Sequence, residues 1–280
     1  MCEVAHRPAP HPRGYSAPVA KVRLDSLLAE RGLYETRSRA AAAVMAGDVQ
    51  VGDRPAGKPG QLVAEDADLS VAAQARYVSR GGIKLENALG AFAVSPQDRL
   101  CLDVGASTGG FTDCLLQHGA RAVTALDVAY GELHWRIRQD PRVTVLERRN
   151  ARSLEPDELP WRPDLIVVDV AFISLAKVLP AVLAAAAPEY DCLALVKPQF
   201  ELGRGRVGKG GVVHSAEERR EALVEVGREA RDRLGATVLG YASSGLPGPA
   251  GNRESFIRLA EPGRHGGVDD LEAAARRAEP

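Results

Sequence analysis

The chain has 280 residues, 36 Lys and Arg against 37 Asp and Glu, a formal charge of −1, and 45% hydrophobic residues. That length holds about two domains at ~150 residues each and can build a core without disulfide or metal staples. The charge balance excludes a protein that coats nucleic acid by bulk electrostatics, and four scattered cysteines (Cys2, Cys101, Cys114, Cys192) without a C-x-x-C pair exclude a disulfide scaffold and most zinc modules, so no metal is expected.

Residues 1–20 carry Pro8, Pro10, Pro12 and Pro18 but no apolar stretch of the signal-peptide kind, which predicts a disordered leader. The longest apolar run, 178–188, is about half the ~20 residues that a membrane-spanning helix needs. Cytoplasmic residence with no membrane partner is therefore expected. A small unit is predicted over 21–73. Asp25 is placed to cap a helix carrying Leu27 and Leu28 that stops at Gly32, and Thr36 caps a second helix over 37–46, ended by Gly47. Val49-Gln50-Val51 alternates as a strand, Gly52-Asp53 turns it, and 68–71 is a second strand. Such a module is too small to be an enzyme alone.

A linker over 74–82, a larger unit over 83–261 and a tail over 262–280, frayed helix or disordered, complete the expected organisation. Apolar runs fall at 99–104, 121–127, 142–147, 164–170 and 190–197, with helix-compatible stretches at 110–118, 131–139, 173–187 and 215–234. That alternation predicts an α/β fold, a Rossmann-like, mostly parallel sheet with helices on both faces. Ser215 with Glu218 makes a capping box, and Leu223, Val226, Ala230 and Leu234 share one face of the helix that follows. Strands over 236–243 and 253–260, joined by a Gly/Pro loop without a helix, predict an antiparallel hairpin at one edge.

In such a sheet, ligands bind beyond the carboxyl ends of the strands. The first end reads Asp103-Val104-Gly105-Ala106-Ser107-Thr108-Gly109-Gly110-Phe111-Thr112, and the second ends in Asp127-Val128, where a carboxylate can accept from a ribose diol. Any tight strand-to-helix turn favours glycine, so the loop alone is weak. The dinucleotide fingerprint lacks its second glycine here and the Walker loop lacks its lysine. An adenosyl-methionine pattern, a strand ending in Asp-x-Gly before a glycine-rich turn, fits best, with Asp103 able to meet the amino-acid portion. The same residues spell G-x-S-x-G, and Ser107, Asp169 and His214 follow a triad order. Against a hydrolase stand the Gly-Gly turn, the missing upstream oxyanion glycines, and the place of His214 just before a helix cap.

The fourth strand ends Val168-Asp169-Val170-Ala171-Phe172, without the Pro-Pro-aromatic turn of enzymes that methylate base amines. Cys101, Cys114 and Cys192 read as small buried residues rather than the nucleophile of a base-carbon methylator. What remains is Asp169, Lys197 and Glu254 at strand ends, with Lys84 just before the first strand. A ribose hydroxyl is a poor nucleophile, and a lysine held near carboxylates can activate or orient it. The ordinary alternative is that Asp169 caps a helix and both lysines are solvated.

Five motifs carry a resemblance. They are Arg23-Leu24-Asp25-x-Leu27-Leu28-x-Glu30-Arg31-Gly32, Ser79-Arg80-Gly81-Gly82-x-Lys84-Leu85, the run from Asp103 to Thr112, Val168-Asp169-Val170 with Phe172-Ile173-Ser174, and Val196-Lys197-Pro198-Gln199-Phe200-Glu201. Over 21–261 the sequence resembles the TlyA (hemolysin A) family of ribosomal RNA 2′-O-methyltransferases, whose catalytic domain is similar to FtsJ (RrmJ). The resemblance implies methylation of ribose, cytidine by expectation, in 16S or 23S rRNA with S-adenosyl-L-methionine. Lys84, Asp169, Lys197 and Glu254 match the family's Lys-Asp-Lys-Glu set. Asp103, Gly105 through Phe111, Asp127, Val128, Asn150 beside the adenine, and Asp169 are the expected cofactor contacts. The small unit is implied to be an RNA-binding domain of the type in small-subunit ribosomal protein four. Arg23, Arg37 and Arg39 are its expected RNA contacts, with Arg80 in the linker and Arg204, Arg206 and Lys209 in a glycine-rich lid over 203–211 as further ones. Arginines opposite Glu30 and Glu35 could instead make only surface pairs. The expected partner is a ribosomal subunit, and the expected state a monomer or weak dimer. A non-catalytic rRNA-binding assembly factor is the alternative, while no signal, barrel pattern or apolar span supports a membrane-active hemolysin.

Overall fold

The computed structural model describes residues 21–34, 36–71, 76–203, 206–208 and 210–279. The expected leader, Glu35, Arg204 and Lys209 lie outside the described residues. The chain divides into two compact units between Ala75 and Arg76.

The first unit runs β1 (Lys21–Arg23), α1 (Leu24–Glu30), α2 (Arg37–Ala46), β2 (Val49–Val51), β3 (Arg54–Pro55), β4 (Leu62–Ala64) and β5 (Leu69–Val71). β1 pairs with β4, and β2 lies between β3 and β5, all antiparallel. Leu24, Leu27, Leu28, Ala40, Val44, Val49 and Val63 form its core. The Thr36 hydroxyl accepts the Arg39 amide, and Gly47 ends α2 at φ 84°, a left-handed conformation that glycine adopts without strain. The expectation that Asp25 caps α1 is corrected. Asp25 lies inside the first turn, and its buried carboxylate accepts from the Arg23 guanidinium at 3.1 and 2.7 Å, with Arg37 at 3.1 Å.

The second unit opens with α3 (Gly81–Phe92). There follow β6 (Leu100–Val104), α4 (Gly110–Gln117), β7 (Ala122–Leu126), α5 (Trp135–Arg138), β8 (Val143–Leu146) and β9 (Leu165–Val168). The rest is α6 (Leu179–Ala184), β10 (Asp191–Val196), α7 (Pro198–Glu201), α8 (Ala216–Arg228), β11 (Thr237–Ser243), β12 (Ser255–Ala260) and α9 (Leu271–Ala278). One seven-stranded sheet has the order β11-β12-β10-β9-β6-β7-β8. The five strands from β10 to β8 are parallel, and β12 runs antiparallel between β10 and β11. Leu102, Ile166, Cys192 and Val196 pack on one side of it, Cys101, Leu165, Leu193 and Phe256 on the other. Strands covered on both faces explain their continuous apolar runs. Burial pushes the Cys101 and Cys114 thiols up to about 12, as expected of inert core residues.

Three differences from the sequence expectations have physical causes. The expected linker over 74–82 ends inside α3, because Gly81 and Gly82 begin a helix. The stretch 173–187 breaks into a 3-10 turn over 175–177 and a short α6, which starts afresh at Leu179-Pro180. Within the tail, α9 is a capped helix rather than a frayed one. Asp270 caps α9, which buries Leu271, Ala274 and Ala275, and the Arg219 guanidinium donates to Glu279 at 2.9 and 2.7 Å. Among the described residues, no helix is long and apolar enough to cross a membrane, and no cluster of three metal-ligating side chains occurs.

Candidate active site

A cavity of about 500 Å³ opens at the carboxyl ends of β6, β9 and β10. It is lined by Ser79, Arg80, Gly81 and Lys84, by the turn Gly105-Ala106-Ser107-Thr108 with Gly110 and Phe111, and by Asp169, Lys197, Pro247, Pro249 and Glu254. Its floor is the turn from β6 into α4. Gly105 has φ 83°, and a Cβ there would run into the Asp169 carbonyl oxygen, so this close approach needs glycine. A Cβ on Gly110 would likewise meet the Ser79 hydroxyl.

Asp103 is fully buried beneath the turn. Its Oδ2 accepts the Thr112 hydroxyl at 2.6 Å, while Oδ1 has no hydrogen-bond partner. Burial pushes its carboxyl up to about 7, with the carboxylates of Asp169 and Asp127 adding to the effect. Asp127 uses both oxygens on backbone, accepting the Ser107 amide and the Ala129 amide at 2.8 Å each. Val128 stands exposed beside it. A small adjoining pocket is lined by Ser107, Asp127, Leu133 and two carboxylates the sequence did not single out, Glu132 and Glu147. Asn150 lines neither pocket; its side chain accepts the Arg152 amide at 3.1 Å and starts a 3-10 turn.

The four charged residues meet in the cavity as two ion pairs. Lys84 on α3 lies 2.5 Å from Glu254 Oε2, with both side chains buried. Lys197, which follows β10, lies 2.5 Å from Asp169 Oδ1, with 15% and 25% of their side chains exposed. That second contact is ionic rather than directional, since Asp169 Oδ1 receives no hydrogen bond of good geometry. Lys84 is buried, Lys197 is partly exposed and ion-paired, and Asp169 caps no helix; the 3-10 turn that follows it is capped by Ser174. Two more residues shape this edge without having been singled out. Asn252 is buried, accepts the Val213 amide at 2.9 Å and donates to the Gly211 carbonyl at 2.7 Å, fixing the loop that leads to Glu254. Phe172 is 91% exposed at φ 63°, its ring 5.3 Å from Phe200. A bulky residue held there is strained, and such strain concentrates at functional sites.

The other expected residues are dispersed. Arg80 begins α3 on the cavity wall and donates to the Pro247 carbonyl at 3.1 Å. Arg206 is paired with Glu221 (2.6 Å through one arm). In the first unit, Arg23 and Arg37 flank Asp25 with about half of each side chain exposed, and Arg39 gives its amide to the cap of α2. Ser107 and His214 do not assemble with Asp169 as a triad. The Ser107 hydroxyl faces Glu132 at 3.4 Å, and the His214 carbonyl accepts from Arg219.

An unpaired buried carboxylate oxygen, a glycine turn closed by backbone contact and a helix start beside it fit a ligand with both cationic and polar parts. Comparisons with known proteins agree with this geometry. The FtsJ-like methyltransferase family model matches residues 77–260, and the S4 domain model matches 22–69. The chain is 47% identical over 261 residues to a Mycobacterium tuberculosis protein named 16S/23S rRNA (cytidine-2′-O)-methyltransferase TlyA, covering 92% of this chain and 97% of that one. It is 40% identical over 196 residues to hemolysin A of Brachyspira hyodysenteriae, covering 69% of this chain and 80% of the relative. A solved Streptococcus thermophilus protein, whose name carries the word hemolysin, superimposes with a TM-score of 0.70 at 38% identity, over 93% of this chain and 96% of that one.

Proposed function

The chain belongs to the TlyA family of FtsJ-like methyltransferases, and from that premise we propose that it transfers a methyl group from S-adenosyl-L-methionine to the 2′-hydroxyl of cytidine in 16S or 23S ribosomal RNA. The observation that carries the reading is the meeting of two Lys–carboxylate pairs in the cavity floored by the glycine turn. The cofactor supplies a methyl group activated on a positively charged sulfur. Asp103 offers its unpaired oxygen to an ammonium, while Gly105 to Phe111 close around the ligand. Asp127 keeps lone pairs beyond its two amide bonds for a ribose diol, and the exposed Val128 beside it borders the base. Lys197 meets and orients the 2′-oxygen, Asp169 holds Lys197, and the Lys84–Glu254 pair fixes further charge on the same wall. Alignment of hydroxyl and methyl supplies much of the acceleration, for which oriented groups gain on the order of 7–11 kcal/mol. In the transfer the 2′-oxygen would bond to the methyl carbon as the carbon–sulfur bond breaks to leave a neutral thioether, and the hydroxyl proton would pass to water.

The S4 domain docks on folded rRNA of a cytoplasmic ribosomal subunit, through Arg23, Arg37 and Arg39, with Arg80, Arg204, Arg206 and Lys209 as further contacts. Labelled adenosyl-methionine with isolated 30S and 50S subunits lacking the modification, then nuclease mapping, tests the reading. Label at one or two alkali-resistant positions supports it, and absence of transfer to both subunits ends it. Lys197→Ala should abolish transfer and leave cofactor affinity within about threefold of the parent; normal turnover by that variant removes Lys197 from the mechanism.

A further inference from the structure

Glu201 ends the motif that begins at Val196, yet it does not line the cavity. Its carboxylate joins two loops. Oε2 accepts the Ser174 hydroxyl at 2.6 Å and Oε1 accepts the Leu175 amide at 3.0 Å. Those acceptor and donor groups follow neighbouring parallel strands: the loop after β9 carries Asp169 and then Ser174, and the segment after β10 carries Lys197 and then Glu201, the last residue of α7. The Ser174 hydroxyl oxygen also accepts the Ala176 amide at 3.2 Å, which leaves its one hydrogen for Glu201.

The same two loops meet at two other places, neither of which fixes an angle. Lys197 touches Asp169 without hydrogen-bond geometry, and Phe172 meets Phe200 as tilted rings 5.3 Å apart. Among the described residues, only the Glu201 carboxylate makes two directional bonds across the gap. Keeping a carboxylate there is costly, because burial pushes its protonation upward against the pull of those two bonds, with Glu225 nearby adding repulsion. An apolar contact would join the loops more cheaply but would not set their register.

We propose that Glu201 is a positioning residue, whose bonds to Ser174 and Leu175 hold the Asp169 loop and the Lys197 loop at the separation that methyl transfer requires. This rests on the functional reading above. Misplacing a reacting group by about 1 Å can cost on the order of 100-fold in rate. The test measures kcat and KM on unmodified ribosomal subunits, together with adenosyl-methionine affinity by calorimetry, for the parent, Glu201→Ala, Glu201→Gln, Ser174→Ala and the Ser174→Ala/Glu201→Ala double variant. Glutamine keeps an acceptor for the Leu175 amide and can donate to the Ser174 oxygen.

The expected result is a kcat about 10- to 100-fold lower for Glu201→Ala, with KM and cofactor affinity within about threefold of the parent. Glu201→Gln recovers most of the rate, and the double variant is no slower than Glu201→Ala alone, because both remove one tie. Parental kcat in Glu201→Ala overturns the proposal. So does a loss of cofactor affinity and melting temperature in step with rate, which marks a purely structural role. A parent protein that transfers no methyl to either subunit overturns the functional reading and this proposal with it.

Discussion

Asp103 shows how far a single residue can be read from sequence. Its place at a strand end before Gly105 marked it as a candidate for the ligand's amino-acid portion, and the structure puts it fully buried beneath the glycine turn. Its protonation could not be read, since that depends on residues distant in sequence that remove water from it. Held fully buried, with Oδ1 unpaired, its carboxyl is pushed up to about 7, whereas in the unfolded chain an aspartate titrates near ~3.9. Between those values the folded protein keeps a proton that the unfolded chain has lost. The stabilising contribution is therefore complete at low pH and disappears as pH rises through about 7. Asp103→Asn cannot titrate. Urea unfolding of both proteins between about pH 4 and pH 7 should show the parent losing stability relative to the variant as pH rises. Parallel curves would mean that Asp103 ionises normally. An ammonium placed against Oδ1 favours the charged form, so cofactor binding near neutral pH should release a proton, visible as a buffer-dependent heat.

Elements were legible in proportion to how much of their packing is local. The five parallel strands announce themselves as apolar runs because both faces are covered, and α8 by its capping serine and one-sided face. α3 was hidden: Gly81, Gly82 and Gly90 weaken its helical signal, and Lys84 points inward to a carboxylate far along the chain. The contacts of Asn252, Phe172 and Glu201 were hidden too, although the last two stand in the sequence motifs, since each meets partners in another segment. α9 was misread because its Ala, Arg and Glu content looks solvated, while the residue that fixes its end, Arg219, lies on α8. The Arg219 and Glu279 side chains are 10% and 5% exposed, and Arg219 also donates to the His214 carbonyl at 2.7 Å. Glu279→Ala strands a buried guanidinium and should cost about 3–5 kcal/mol of unfolding free energy. Arg219→Met/Glu279→Leu should be less destabilised than the Glu279→Ala single variant, because neither charge is left uncompensated. A double variant as unstable as the sum of the singles would show that the two side chains act independently.

At the scale of the whole molecule, the two units have separate cores. The first has its own core around Leu24, Leu28 and Val49, and every residue lining the cavity lies between Ser79 and Glu254. A chain starting at Arg76 retains both cores of the large sheet and all four members of the charged set, so it should fold and bind adenosyl-methionine with the affinity of the intact protein. Residues 1–75 carry 9 Lys and Arg against 9 Asp and Glu, and residues 76–280 carry 27 against 28, so neither unit attracts a polyanion in bulk, and on the proposed function the S4 domain acts through local contacts. Transfer to ribosomal subunits should fall sharply in the shortened chain, mainly through KM. Each lost arginine–phosphate contact on duplex-like RNA should also flatten the plot of log affinity against log salt by roughly 0.9 or less. Filter binding across a salt series, done on the intact and shortened chains together, reads both quantities. Equal transfer and equal salt slopes would place rRNA recognition entirely in the catalytic unit and leave Arg23, Arg37 and Arg39 as surface charges.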